Sequence, residues 1–407
     1  MSFLKTPYPP VTRGKIVLWG MMASMPFGGM IWQVYHYLVA LRRLGFDVWY
    51  VEDSDRYLYD LRTHVPTTEY ADNLALLANC MDRVGLADRW IFRPPGAADR
   101  CLGAEDFKGL LRLYREAVAA INLCGAQEPR TYHESLSCRI YLETDPVENQ
   151  VAVASGRQKV IRRLDAHDYH FSYGENLGSA DCPVPIERYE WQATRPPVCV
   201  DFWWDTAKPV TSRCLRTIAS LSHDNNDKGW ISSKDVVWQE HIWRWSKRDE
   251  FFKFLDIPSR ASMPVEVALG SVDKPDRVTI QSSGWRTRDA ASLDDPEEYR
   301  RYIVDSAGEF TVAKDQYVSP RSGWFSDRSV CYLAAGRPVI TQDTGFSKFI
   351  PTGNGLLAYS NVDQALAAIE SLASDYSRHA AAALDIAREY FDAERVVGAM
   401  LAKAGIL

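Results

Sequence analysis

Short apolar runs alternate along this chain with longer segments whose apolar positions return every three or four residues. The first run, Lys15–Trp19, ends at Gly20; residues 31–44 then carry a helical period that Gly45 stops, and 48–51 is apolar again. This is the signature of a strand, a glycine-rich loop, a helix and a second strand. Further on, 70–84 and 106–117 read as helices, and Ala117–Leu123, Arg139–Glu143 and 169–173 as strands. The pattern resumes later with strands at 214–221, Val265–Leu269, 278–281, 309–312 and 339–341. Helices are expected among them at 249–255 and 327–335, and after them at 362–373, 375–390 and 389–401. Strands alternating with helices predict an α/β fold of parallel, doubly wound sheets. Between the two halves, 183–209 is rich in proline and aromatic residues and keeps no period, which marks a domain boundary. The expected division is a Rossmann-like domain over 1–200, a second over 201–375, and C-terminal helices over 376–407.

Open α/β sheets bind ligands beyond the carboxyl ends of their strands, so the residues that follow each run are the candidates for chemistry. After the first strand, Gly28 and Gly29 stand at a helix N-terminus, where free N–H groups and the helix dipole suit an anion. No Gly-x-Gly-x-x-Gly follows that strand, which sets a dehydrogenase aside. Strand Arg139–Glu143 delivers Thr144-Asp145-Pro146, and 169–173 delivers Gly174-Glu175-Asn176. Asp145 and Glu175 are therefore the candidate catalytic acids, although either could simply cap a helix or form its turn. In the second half, strand 214–221 runs into a loop holding Lys228, and Lys247 precedes helix 249–255 as a second basic candidate. Helix 327–335 opens on Ser326-Asp327-Arg328, breaks at Gly336-Arg337-Pro338, and is followed by strand 339–341 and the loop Asp343-Thr344-Gly345.

Composition narrows the classes. At 407 residues two or three domains are expected, and 46% hydrophobic with 12% aromatic residues is ample for their cores. A net charge of -6 argues against a dedicated nucleic-acid binder. The eight cysteines show no Cys-x-x-Cys pair, and His36, His133, His167 and His170 lack metal-ligand spacing, so neither zinc nor a disulfide framework is expected. Neither a signal peptide nor a membrane-length apolar run is seen, which predicts a cytoplasmic protein or one peripheral at a membrane.

With these residues in view, the stretch from Trp324 to Pro351 resembles the donor-binding signature of GT-B-type nucleotide-sugar glycosyltransferases, in which a helix ending Ala-x-Gly-x-Pro-Val and the glycine loop after it hold nucleotide and sugar. The resemblance implies two Rossmann-like domains facing a central cleft. It also implies transfer of a sugar from a nucleotide-diphosphate sugar, UDP being the expected nucleotide, to an acceptor on the first domain. Gly28, Gly29, Lys228, Lys247, Ser326, Asp327, Arg328, Asp343, Thr344 and Gly345 would then bind the donor, with Asp145 or Glu175 catalytic. Many retaining members carry two glutamates where this chain has Gly323 and Cys331, and Asp327 is the nearest acid able to take the ribose. No Asp-x-Asp pair of the kind typical of metal-dependent transferases stands in a convincing strand-end context, so no cofactor and no metal are expected. A small molecule, a glycan or a lipid is the expected acceptor, with nucleic acid left open. A catalytically silent sugar-nucleotide-binding protein and a sugar-nucleotide epimerase of the same shape are the alternatives.

Overall fold

The computed structural model describes residues 3–4, 7–204, 210, 212–221 and 235–407. Two large sheets organise them. The first runs in the order Trp191–Ala193, Tyr169–Ser172, Arg139–Glu143, Ala117–Leu123, Lys15–Trp19, Asp47–Glu52, Trp90–Phe92, Leu102–Gly103, parallel except for the last pair. The second is wholly parallel, in the order Arg286–Asp289, Val265–Leu269, Leu215–Ala219, Gly308–Thr311, Val339–Gln342, Leu356–Tyr359. Each winds outward in both directions from its first strand. Each therefore has a switch point, between Lys15–Trp19 and Ala117–Leu123 in the first sheet and between Leu215–Ala219 and Gly308–Thr311 in the second. The carboxyl ends at these switch points open a crevice, the usual ligand position in such sheets. The two crevices face each other across a central cleft, since Lys314, just past Gly308–Thr311, pairs with Asp145, just past Arg139–Glu143.

The helix Gly28–Arg43 lies at the centre of this arrangement. Every residue from Ile31 to Leu41 is buried, which a helix on one sheet face would not require. The second-domain helix Pro296–Val304 and the C-terminal helix Ala393–Lys403 cover its remaining faces. Trp32 donates from Nε1 to the Pro296 carbonyl at 2.7 Å. A Cβ at Gly28 would lie 2.3 Å from the Leu293 carbonyl oxygen and 2.9 Å from the Tyr299 Cβ, so glycine lets the second domain seat against the helix start.

Two expected elements are corrected. Residues 278–281 are not a strand but part of the helix Lys274–Ser282, which starts at Asp273 with Pro275 in its first turn and leaves Val278 exposed. Pro at a first helical turn costs no hydrogen bond, and that local signal outweighs the β-branched Val-Thr-Ile run. The final helix is not continuous with the one before it. Tyr376–Tyr390 ends, and Asp392 starts Ala393–Lys403 by accepting from Arg395 N. Within 183–209, Trp191–Ala193 joins the first sheet beside Tyr169–Ser172, and Val200–Trp203 forms a short helix.

Candidate active site

The second crevice is built around Arg328. Ser326 caps the helix Asp327–Ala334, its Oγ accepting from Arg328 N at 3.3 Å, so the first turn is aimed at the switch point. The Arg328 guanidinium donates to Glu309 Oε1 at 2.6 Å, to the Ile218 carbonyl at 2.7 Å and to Thr311 Oγ1 at 2.9 Å, bridging both flanking strands. Glu309 is fully buried and also accepts from Ser329 Oγ at 2.6 Å. Burial works against the arginine's charge, but the Glu309 carboxylate outweighs it and holds the cation firmly.

Two lysines join it. Lys314 sets its Nζ 2.9 Å from Asp145 Oδ1 and 3.2 Å from the centre of the Trp245 ring. Lys247 is partly buried, and burial first, then repulsion from Arg328 and Lys314, pulls its ammonium down to about 7. Among the described residues Lys247 Nζ has no hydrogen-bond or ion-pair partner. Three cations thus converge at this crevice, and the Lys247 ammonium has no direct partner among the described residues.

Asp145 enters from the first domain. Its carboxyl accepts from Lys314 and from the Tyr317 hydroxyl, both of the second domain. Burial raises its affinity for protons, but Lys314 and then the Tyr317 hydrogen bond reverse this and leave it below the usual carboxylate range. Asp145 is therefore ionised at neutral pH while half its side chain stays accessible (47%). Trp324 closes the wall beside it, donating from Nε1 to the Thr144 carbonyl at 2.9 Å and stacking on Tyr317 at 4.4 Å. Asp327 accepts from Gln33 Nε2 at 3.0 Å and Tyr173 OH at 3.3 Å, both from the first domain. Burial, then Asp145, pushes it up to about 7.

The remaining sequence candidates stand elsewhere. Gly28 and Gly29 face Leu293 and Tyr299 at the domain contact. Glu175 is partly buried and paired with Arg195 at 2.5 Å, and Arg195 itself lies over the Tyr390 and Phe391 rings. Asp343 turns its carboxyl onto its own loop, accepting from Gly345 N at 2.9 Å and Ser347 Oγ at 2.8 Å. Thr344 donates to the Trp324 carbonyl at 2.5 Å. Gly345 has φ +95°, and a Cβ there would meet the Arg321 carbonyl at 3.0 Å, so the loop braces the segment that precedes Asp327. Lys228 lies outside the described residues. Cys331, in the place of a family glutamate, is buried with its Sγ 3.7 Å from His36 Nε2. His36 is a packed neutral histidine, lowered to about 3 by burial.

Four participants had no place among the sequence candidates: Gln33, Glu309, Lys314 and Tyr317. Lys314 follows the strand Gly308–Thr311, so the strand-end rule could have found it, whereas Glu309 lies inside that strand near its amino end. Gln33 and Tyr317 carry no local signal. Among the described residues, no group of three or more His, Cys, Asp or Glu side chains could hold a metal ion, and no helix is long and apolar enough to cross a membrane.

Two doubly wound domains whose strand ends face one cleft are the GT-B fold of glycosyltransferases. Among solved structures, the chain is similar to an alpha-glucosyltransferase in complex with UDP-glucose and DNA containing an abasic site (12% identity, TM-score 0.55, 97% of this chain and 100% of that one). It is also similar to Anabaena HepE in complex with UDP (10% identity, TM-score 0.53, 97% and 100% covered). A third is AviGT4, a glycosyltransferase involved in avilamycin A biosynthesis (10% identity, TM-score 0.51, 96% and 97% covered). No protein-family model matches the chain, and no curated protein matches it.

Proposed function

We propose that this protein transfers a sugar from a nucleoside-diphosphate sugar to an acceptor bound by the first domain. The observation that carries the reading is the convergence of Lys247, Lys314 and Arg328 at the second switch point, opposite an ionised Asp145. In the reaction, the acceptor oxygen bonds to the anomeric carbon. The bond from that carbon to the diphosphate oxygen breaks, its electron pair leaves on the diphosphate, and the acceptor proton must go to a base. Departing negative charge is stabilised best by fixed cations in a site shielded from water. Lys247, whose Nζ has no direct partner among the described residues, is the natural partner of that charge. Asp145, across the cleft, is placed to take the acceptor proton or to hold the acceptor hydroxyl. UDP is the first nucleotide to test, because UDP or UDP-glucose is bound in structures similar to this chain.

The direct experiment is mass analysis of products from UDP-glucose, GDP-glucose and dTDP-glucose with candidate acceptors. A sugar-acceptor adduct is expected with one donor. The buried Cys331 in place of a family glutamate favours one second reading, a binding protein without turnover. Tight nucleotide binding with no product from any acceptor, and no isomerised sugar, would establish it. We expect metal-independent transfer, the three cations doing the work of a divalent ion. Saturating EDTA should leave the rate unchanged, and a rate lost to EDTA and restored by Mg²⁺ or Mn²⁺ would refute this.

Lys247 makes donor affinity depend on pH. UDP-glucose has no phosphate group titrating near neutrality, whereas Lys247 titrates near 7 in the free protein. A bound diphosphate favours the protonated lysine and raises its pKa, so affinity is full below about 7 and declines as pH rises through and above that value. Lys247→Gln should weaken UDP-glucose binding by about 1–3 kcal/mol at pH 6 and flatten the profile. Calorimetry between pH 6 and pH 9 reads both effects, and a profile equally steep in the variant would remove Lys247 from the site.

A further inference from the structure

Cations around the two crevices are mostly matched with carboxylates. Lys314 holds Asp145, Arg328 holds Glu309, Arg93 holds Asp53, and Arg130 lies 3.9 Å from Asp53 and 3.8 Å from Asp55. Lys247, on the donor side, has no such partner among the described residues. The same is true of Arg56, and Arg56 belongs to the first domain.

Arg56 sits at the first sheet's switch point. Its Nη1 lies 3.1 Å from the Met21 sulfur and its Nη2 donates to the Gly125 carbonyl at 3.1 Å. Met21 follows the strand Lys15–Trp19 and Gly125 follows Ala117–Leu123, the two strands that flank the crevice. The guanidinium therefore spans the crevice mouth. Its backbone is anchored: Leu58 is fully buried and Tyr59 N donates to the Ser24 carbonyl at 3.0 Å. From Gly125 the wall continues to Asp145, because Cys124 Sγ is 3.0 Å from Thr144 Oγ1. The adjacent acids are engaged elsewhere. Asp55 accepts from Gly96 N at 2.6 Å, and Asp53 is enclosed by Arg93, Tyr132 and His133.

A partly buried guanidinium whose two donors reach only a thioether and a carbonyl gains from an anion, which its planar fork can bind in bidentate fashion. Because the donor diphosphate is drawn to the opposite domain, the anion at Arg56 is a separate one. We infer that the acceptor carries an anionic group, a phosphate or a phosphodiester, and that Arg56 binds it, leaving the reacting hydroxyl toward Asp145. This inference rests on the transferase reading and adds the chemical class of the acceptor to it.

The test measures binding to the full chain saturated with UDP, using three pairs of probes that differ in charge. These are a single-stranded oligodeoxynucleotide against its methylphosphonate form, a phosphorylated monosaccharide against the free sugar, and phosphatidylcholine vesicles with phosphatidic acid against vesicles without it. The wild type should prefer the charged member of one pair by roughly ten- to hundredfold, the range of a charged hydrogen bond, and the pair that responds identifies the source of the phosphate. Arg56→Gln should abolish the preference and Arg56→Lys should keep part of it. Arg62→Gln, which removes an exposed arginine of the same loop paired with Asp72, should leave it intact. UDP affinity, the measure of folding and of the donor site, should be equal in all four proteins. A wild type that binds UDP but discriminates within no pair, or an Arg56→Gln protein that discriminates as well as wild type, overturns this inference alone. A wild type that binds none of UDP, GDP and dTDP overturns the transferase reading and this inference with it.

Discussion

Asp145→Asn is expected to lower turnover by roughly two to four orders of magnitude, the range lost with a general base, while UDP-glucose binds at least as tightly as before. The substitution preserves shape and the capacity to accept from Tyr317. It removes the carboxylate that pairs with Lys314 across the cleft, so the donor side becomes more positive and the diphosphate is held no less well. A pair of measurements separates this from a structural role: single-turnover rates with saturating donor, and calorimetric donor affinity. If the rate per folded molecule is unchanged and only the melting temperature falls, Asp145 is a domain clasp and the acceptor proton goes elsewhere. Asp327 would be the next carboxyl to test, because it borders the same cleft and titrates near 7, whereas Glu175 is already matched by Arg195.

Arg328→Met should destabilise the protein by about 3–5 kcal/mol, the cost of leaving one member of a buried ion pair behind. The arginine joins acceptors on two adjacent strands, and without it the fully buried Glu309 carboxyl would lose its ion-pair partner and keep, among the described residues, Ser329 as its hydrogen-bond donor. Urea denaturation of the single variant and of Arg328→Met/Glu309→Gln measures the effect. The double variant should recover much of the loss, since the orphaned charge is removed with its partner. A single variant as stable as the wild type would show that the pair is solvated and that Arg328 is free to serve the ligand.

Much of the architecture could be read locally. Lys15–Trp19, Ala117–Leu123, Arg139–Glu143 and Val265–Leu269 have the same limits in pattern and structure, because apolar runs and glycine stops are properties of neighbouring residues. The strand Arg286–Asp289, reading Arg-Thr-Arg-Asp, has no such run. It is an edge strand held by backbone pairing to Val265–Leu269, and that pairing leaves no mark on side-chain composition. Residues 31–44 show a helical period in sequence, but the helix Gly28–Arg43 is buried all round from Ile31 to Leu41, since its further coverings come from Pro296–Val304 and Ala393–Lys403, far along the chain.

The site divides in the same way. Strand-end and helix-start reasoning reached Asp145, Lys247, Ser326, Asp327 and Arg328 from the sequence alone, because a β-strand's end and a helix's cap are set within a few residues. Their partners were decided by the tertiary structure. Lys314 meets Asp145 across 169 positions, Tyr317 meets it across 172, and Gln33 meets Asp327 across 294. The charge state of each group follows from the tertiary packing: Asp145 is ionised because Lys314 arrives beside it, and Lys247 is lowered by its burial and then by Arg328 and Lys314. Sequence by itself determined which residues stand at the rims of two parallel sheets. Only the folding of one sheet against the other decided which rims meet, since electrostatic coupling depends on distance in space and a single sequence carries no direct record of long-range distance.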